Sequence, residues 1–139
     1  MDPSFIRGLT AGGPIGLSCD LTKLSPDTQS MLRDTIRRHK ENRSFLQNCS
    51  VRILTDTGDL LVLQYTEPAC DQAVICVFAQ NVRQDSIRVY PVLSPDSVYI
   101  PNLTGDSVSG KELEENGILL SIRERYTCTQ FTLTKSYPI

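Results

Sequence analysis

The chain has 139 residues, 40% hydrophobic and 22% charged, the make-up of one globular domain large enough to bury a core without disulfide staples. The formal net charge is −2, and its one basic cluster, Arg37-Arg38-His39-Lys40, is flanked by Asp34 and Glu41 as on a solvated helix face, so nucleic acid is not expected as a partner. No apolar run approaches the roughly 20 residues of a membrane-spanning helix, and neither a membrane partner nor a cofactor is expected.

Residues Met1 to Leu24 show no sustained period. They read as an ordered connector with a turn at Gly12-Gly13-Pro14 and loosely alternating Ile15, Leu17 and Leu21. No G-K-[ST] follows the glycines, so they are not a phosphate-binding loop. Helix start signals come next: Ser25 as N-cap, Pro26 at the first helical position and Asp27 in the first turn. The helix is expected to reach about Gln47. Its inward stripe is Thr28, Leu32, Thr35, Ile36, His39, Arg43 and Leu46, and its outer side offers an Asp34–Arg38 pair.

From Ser50 the pattern turns to strands. Val51 to Leu54 and Leu60 to Tyr65 flank a hairpin turn at Asp56-Thr57-Gly58-Asp59. Between Gln72 and Gln80 lie seven unbroken apolar residues, Ala73 to Ala79. Such a run predicts a central strand covered on both faces. Further strands are expected at Ser86 to Leu93, Val98 to Ile100, Ile118 to Ile122 and Tyr126 to Thr134. Ser94-Pro95-Asp96 signals a turn, and Pro101 marks an edge or an end. Gly105 to Gly110 reads as a polar loop, and Lys111 to Asn116 as one helical turn closed by Gly117. About seven short strands with regular turns predict a mainly β chain, an antiparallel β-sandwich preceded by one long α-helix. The organisation is a 1–24 connector, a 25–48 helix and a 49–139 sandwich.

Five cysteines, Cys19, Cys49, Cys70, Cys76 and Cys128, form no C-x-x-C pair, and the single histidine has no cysteine near it in sequence. No metal site is expected. The thiols are expected to be reduced, in a cytoplasmic setting. The sequons at Asn42, Asn48 and Asn102 are read as chance. Catalytic residue types are sparse. His39 lies in a helix with no nucleophile elbow beside it. Asp56 and Asp59 are explained by their turn, and Glu112, Glu114 and Glu115 by an exposed helix. No catalytic residue is assigned.

The order of the segments resembles the end of the catalytic barrel and the following β-sandwich of family 36 glycoside hydrolases, the α-galactosidases. Gly13-Pro14-Ile15-Gly16-Leu17-Ser18-Cys19-Asp20-Leu21 is similar to the family's G-P-x-G-x-x-x-D-L run. His39-Lys40-x-x-Arg43-x-x-x-Gln47 is similar to the end of its helix, with His39 where tyrosine is usual. Leu93-Ser94-Pro95-Asp96-x-x-Tyr99 and Ser109-Gly110-Lys111-Glu112-Leu113-x-x-x-Gly117-Ile118 resemble two sandwich motifs. The family's catalytic aspartates lie upstream, in barrel motifs that this sequence does not contain. The resemblance therefore implies a non-catalytic C-terminal sandwich domain whose partner is a glycosidase barrel, with Leu32, Ile36, His39, Arg43 and Leu46 as interface residues and homo-oligomer contacts in addition. The alternatives are a free-standing carbohydrate-binding module, which the absence of Trp and the dispersed tyrosines disfavour, and a protein-interaction domain.

Overall fold

The computed structural model describes residues 18, 20–69, 71–122 and 124–137. Most of the 1–24 connector, including the Gly13 to Leu17 part of the first motif, lies outside the described residues, as do Cys19 and Cys70. A single 3-10 turn, Leu21–Lys23, comes first, capped by the Asp20 carboxylate accepting from the Thr22 N–H. Helix α1 spans Pro26–Asn48. Ser25 Oγ accepts the Thr28 N–H at 3.2 Å, and Pro26 sits where a missing N–H costs nothing. The helix ends at Cys49, whose extended backbone leads straight into strand β1, Ser50–Asp56.

β1 and β2 (Leu60–Thr66) form the expected hairpin, with Gly58 at φ 85° in the turn and Thr57 N–H on the Leu60 carbonyl. β3 is Gln72–Ala79, β4 Ser86–Val89, β5 Val98–Pro101, β6 Val108–Ser109, β7 Ile118–Ser121 and β8 Thr127–Ser136. Six strands make one antiparallel sheet in the order β1-β2-β3-β8-β5-β6, and β4 pairs with β7 in a second. The apolar run is indeed central. β3 lies between β2 and β8, and Ala73, Ile75, Cys76, Val77, Phe78 and Ala79 are all buried.

Strand alternation gives the large sheet two faces. On the inner face Val62, Ile75, Val77, Phe131 and Leu133 meet Val89 and Leu120 of the small sheet, together with Leu93, Tyr99 and Leu113. The outer face carries Tyr65, Cys76, Phe78 and Cys128. Among the described residues there are eight strands where about seven were expected, the extra one being the two-residue β6 inside the predicted polar loop.

The fourth strand stops at Val89, four residues short of the expected Leu93. The cause is a buried glutamine. Gln64, 2% exposed on the inner side of β2, accepts the Val92 N–H at 2.9 Å and donates from Nε2 to the Val92 carbonyl at 2.7 Å and to Thr66 Oγ1 at 2.8 Å. With both backbone groups of Val92 engaged by a side chain, the segment from Tyr90 to Ser97 crosses from one sheet to the other as irregular chain.

The two sandwich motifs meet at the end of that crossover. Ser94 donates its N–H to the hydroxyl of fully buried Tyr99 at 3.2 Å, and Ser97 N–H closes the turn on the Ser94 carbonyl. Helix α2, Gly110–Asn116, is capped by Ser109 Oγ on the Glu112 N–H. Gly110 donates to the Ser97 carbonyl at 2.9 Å, and a Cβ there would lie 2.0 Å from the Ser94 oxygen. Gly117 closes the helix at φ 66°, where a Cβ would reach within 2.6 Å of the Val89 oxygen. Both glycines let backbones approach, and the residues of both motifs serve packing.

Gln64→Glu keeps the shape of the side chain but replaces its donor by an oxygen facing the Val92 carbonyl. The variant is expected to lose about 3 kcal/mol at neutral pH. Burial raises the folded-state pKa of the new carboxyl above its unfolded value of about 4.3. The deficit relative to the parent chain should therefore be smallest below about pH 4 and grow as pH rises through the raised value. Urea midpoints of the two proteins that stay equal across pH would show that the clamp does not hold the crossover.

Candidate functional site

Helix α1 lies on the outer face of the large sheet. Its C-terminal half makes the contact: Phe45 and Cys49 pack on the cluster of Tyr65, Cys76, Phe78 and Cys128. Toward the middle of the helix the two surfaces part around a groove of about 260 Å³. The helix wall is Thr35, Arg38, His39, Asn42, Phe45 and Leu46. The sheet wall brings Tyr65, Gln72 and Val74 next to Gln130 and Thr132 of β8, with Asn102 at the end of β5.

This groove brings polar side chains into a helix–sheet contact, which is normally apolar. The Nδ1 of His39 is buried without a hydrogen-bond partner among the described residues. Asp34, expected to pair with Arg38, instead takes Arg37 at 3.3 Å, one position earlier, which leaves Arg38 without a carboxylate among the described residues. Thr35 Oγ1 is spent on the Met31 carbonyl at 2.9 Å, and Asn42 Nδ2 on the Arg38 carbonyl. Asn102 pins β8, its Oδ1 accepting the Thr132 N–H and its own N–H donating to the Thr132 carbonyl.

The five expected interface residues fall in three places. His39 and Leu46 line the groove. Leu32 and Ile36, both half-buried, line a second groove on another side of α1, closed by Leu21. Gln29 Nε2 fastens that corner, donating to the Leu21 and Leu24 carbonyls at 3.0 and 3.1 Å. Arg43 is exposed and lines neither groove. Asn42, Phe45 and Cys49, which complete the sheet-facing stripe, are missing from the sequence reading. Their spacing from Thr35 at i+7, i+10 and i+14 carries the signal, but an asparagine in mid-stripe hides it.

The thiols of Cys49, Cys76 and Cys128 gather under Tyr65. Gln130 Nε2 donates to Cys76 Sγ at 3.5 Å. Hydrogen bonding to Cys76 and burial both push the Cys128 thiol up, and burial raises Cys49. Burial, with the neighbouring sulfurs, pushes the Tyr65 phenol up to about 12. Hydrogen bonds with Cys128 and Gln130 outweigh burial and hold the Cys76 thiol below its ordinary value, but its side chain is fully buried in the cluster and closed to a substrate. The candidate carboxylates are turn and surface groups: Asp56 accepts the Gly58 N–H, while Glu112, Glu114 and Glu115 are exposed on α2. No cluster of three metal-ligating side chains occurs among the described residues, and no helix among them is long and apolar enough to cross a membrane.

The chain matches no family model. It is similar to the bifunctional α-galactosidase/sucrose kinase AgaSK of Mediterraneibacter gnavus, 26% identical over 136 residues, which is 93% of this chain and 14% of that protein. The galactosidase domain of AgaSK superposes with a TM-score of 0.72 at 25% identity, over 83% of this chain and 17% of that one. The α-galactosidase of Lactobacillus brevis superposes with a TM-score of 0.84 at 18% identity, over 96% of this chain and 20% of that one, which shows a shared fold. The chain resembles family 36 α-galactosidases, and it spans a fifth or less of the length of these relatives.

The Tyr65 phenol gives a test of how α1 sits on the sheet. Its folded-state pKa is raised above the ordinary value of about 10, so its contribution to stability is complete below about pH 10 and lost as pH rises through about 12. Tyr65→Phe should remove one late step from a spectrophotometric phenol titration and flatten the alkaline fall in stability. Tyr137, held up by its hydrogen bond to Asp71, should leave a smaller fall behind. If Tyr65→Phe leaves the late step in place, Tyr65 is not covered by the helix.

Proposed function

We propose that this chain is a non-catalytic C-terminal β-sandwich domain of an α-galactosidase-like glycoside hydrolase, which supports a catalytic barrel. The observation that carries the reading is proportion. Nearly the whole chain corresponds to 14% of one relative and 17–20% of the solved α-galactosidases, so the bulk of those proteins lies outside the matched stretch. Two further features support it. The family-like motifs around Ser94, Tyr99, Gly110 and Gly117 are spent on packing. The outer side of the domain also keeps apolar groups at the surface: Val51 and Ile53 on the free edge strand β1, and Leu21 beside α1.

Two experiments test this. The purified chain should release nothing from a chromogenic α-galactoside. A chimaera carrying it in place of the matching stretch of the AgaSK galactosidase domain should be soluble and hydrolytic where deletion of that stretch is not. Turnover by the chain alone that survives repurification, or a chimaera no better than the deletion, would overturn the proposal.

In this reading the side of α1 bearing Leu32 and Ile36, with Leu21, faces the barrel or a second copy. Wet apolar surface of this kind drives association. The isolated chain is then expected to self-associate at micromolar concentrations in sedimentation, and Ile36→Lys to shift it toward monomer with its β-type circular dichroism intact. A parent chain that stays monomeric at high micromolar concentration removes this support for a missing partner.

A further inference from the structure

The groove between α1 and the outer face holds more hydrogen-bonding capacity than the fold consumes. His39 Nδ1 is buried and has no partner among the described residues. The Arg38 guanidinium has no carboxylate among the described residues, because Asp34 is turned to Arg37. Asn42 and Asn102 each use one amide atom within the fold and keep the other, and the Gln130 oxygen is likewise unspent. Among the described residues no Asp or Glu lines the groove. The acidic side chain next to its floor, Asp71, is engaged by Lys135 at 3.6 Å and by the Tyr137 hydroxyl.

We propose that this groove is a binding site for a small hydroxylated carboxylate of the sugar-acid type. The sign of the site comes from Arg38, with no acid opposing it among the described residues, and His39 Nδ1 adds a polar contact; a planar guanidinium pairs with a carboxylate through two parallel hydrogen bonds. The amides of Asn42, Asn102 and Gln130 offer both donors and acceptors, which is what hydroxyl groups, themselves both, require. Phe45, Leu46 and Val74 supply apolar wall on which the carbon face of a ring can rest. The volume of about 260 Å³ lies just under the usual range for small-molecule pockets and suits a single ring. The site is bounded by a helix and a sheet of the same chain, so a small ligand fits it better than the flat surface of a macromolecule.

The test is calorimetric titration of the chain with D-galacturonate and, separately, D-galactose, which differ at one carbon by the carboxylate. Galacturonate is expected to bind at least tenfold more tightly than galactose, as one charge-assisted hydrogen-bond pair implies. Arg38→Gln and His39→Phe should each weaken galacturonate about tenfold or more without lowering the melting temperature. Arg37→Gln, which removes the neighbouring guanidinium already paired with Asp34, should leave the affinity unchanged. Amide shifts at Gln72, Gln130 and Thr132 should follow the same titration. Absence of galacturonate binding, equal affinity for galactose, or equal losses in Arg37→Gln and Arg38→Gln would each overturn the assignment. So would a glutamate-bearing peptide that binds the groove when galacturonate does not, since the groove is then a socket for a partner chain.

Discussion

A single buried amide ties the two layers of this domain together. Gln64 presents its oxygen to the N–H of Val92 and its nitrogen to the Val92 carbonyl, imitating the next strand of a sheet for one residue. Without it, two backbone groups would be left unpaired between β2 and the crossover. With it, the path from Tyr90 to Ser97 is fixed, and buried Pro91 and Leu93 are delivered to the core. The consequences then run in series. The Ser94 turn lands on Tyr99, Gly110 reaches the Ser94 and Ser97 carbonyls, α2 starts from there, and Gly117 passes close under Val89.

Packing and recognition are divided between the faces of the large sheet. The inner face is closed by apolar contact and by glycines that admit no side chain. The outer face mixes two kinds of contact along one helix. Phe45 and Cys49 seal one end against Tyr65, Cys76, Phe78 and Cys128. Arg38, His39 and Asn42 hold the middle away from Gln72, Gln130 and Thr132. The charge pattern of α1 follows from this split, since Arg37 is neutralised in solvent by Asp34 while Arg38 faces the groove.

Much of the fold was legible in the sequence because it obeys local rules. Ser25-Pro26 starts a helix, Gly58 makes a hairpin, Gly117 ends a turn of helix, and β8 alternates residue by residue. What stayed hidden was long-range. Gln64 looks like an outward polar residue until its partner 28 positions away is known. The strand expected through Leu93 fails for the same reason, because Val92 is already engaged. The inward stripe of α1 was read by spacing through Thr28, Leu32, Thr35, Ile36, His39, Arg43 and Leu46. Thr35, His39 and Leu46 do line the groove opposite the sheet, but the direct contact is made by Phe45 and Cys49, with Thr35 reconciled by bonding back to Met31. The groove could not be read at all. It needs Arg38 freed from Asp34 and brought opposite Gln130, two facts without any trace in spacing.

Only Cys49 separates the last residue of α1 from the first of β1, and its extended backbone leaves no slack. The helix is therefore a rigid arm about 35 Å long, welded at one end to the edge of the sheet and laid along it. An arm of that kind transmits orientation. A tilt imposed near Pro26 would appear at β1 as a rotation of the whole sheet, because no hinge intervenes to absorb it. The groove in the crook of the arm therefore keeps its width only while α1 stays straight.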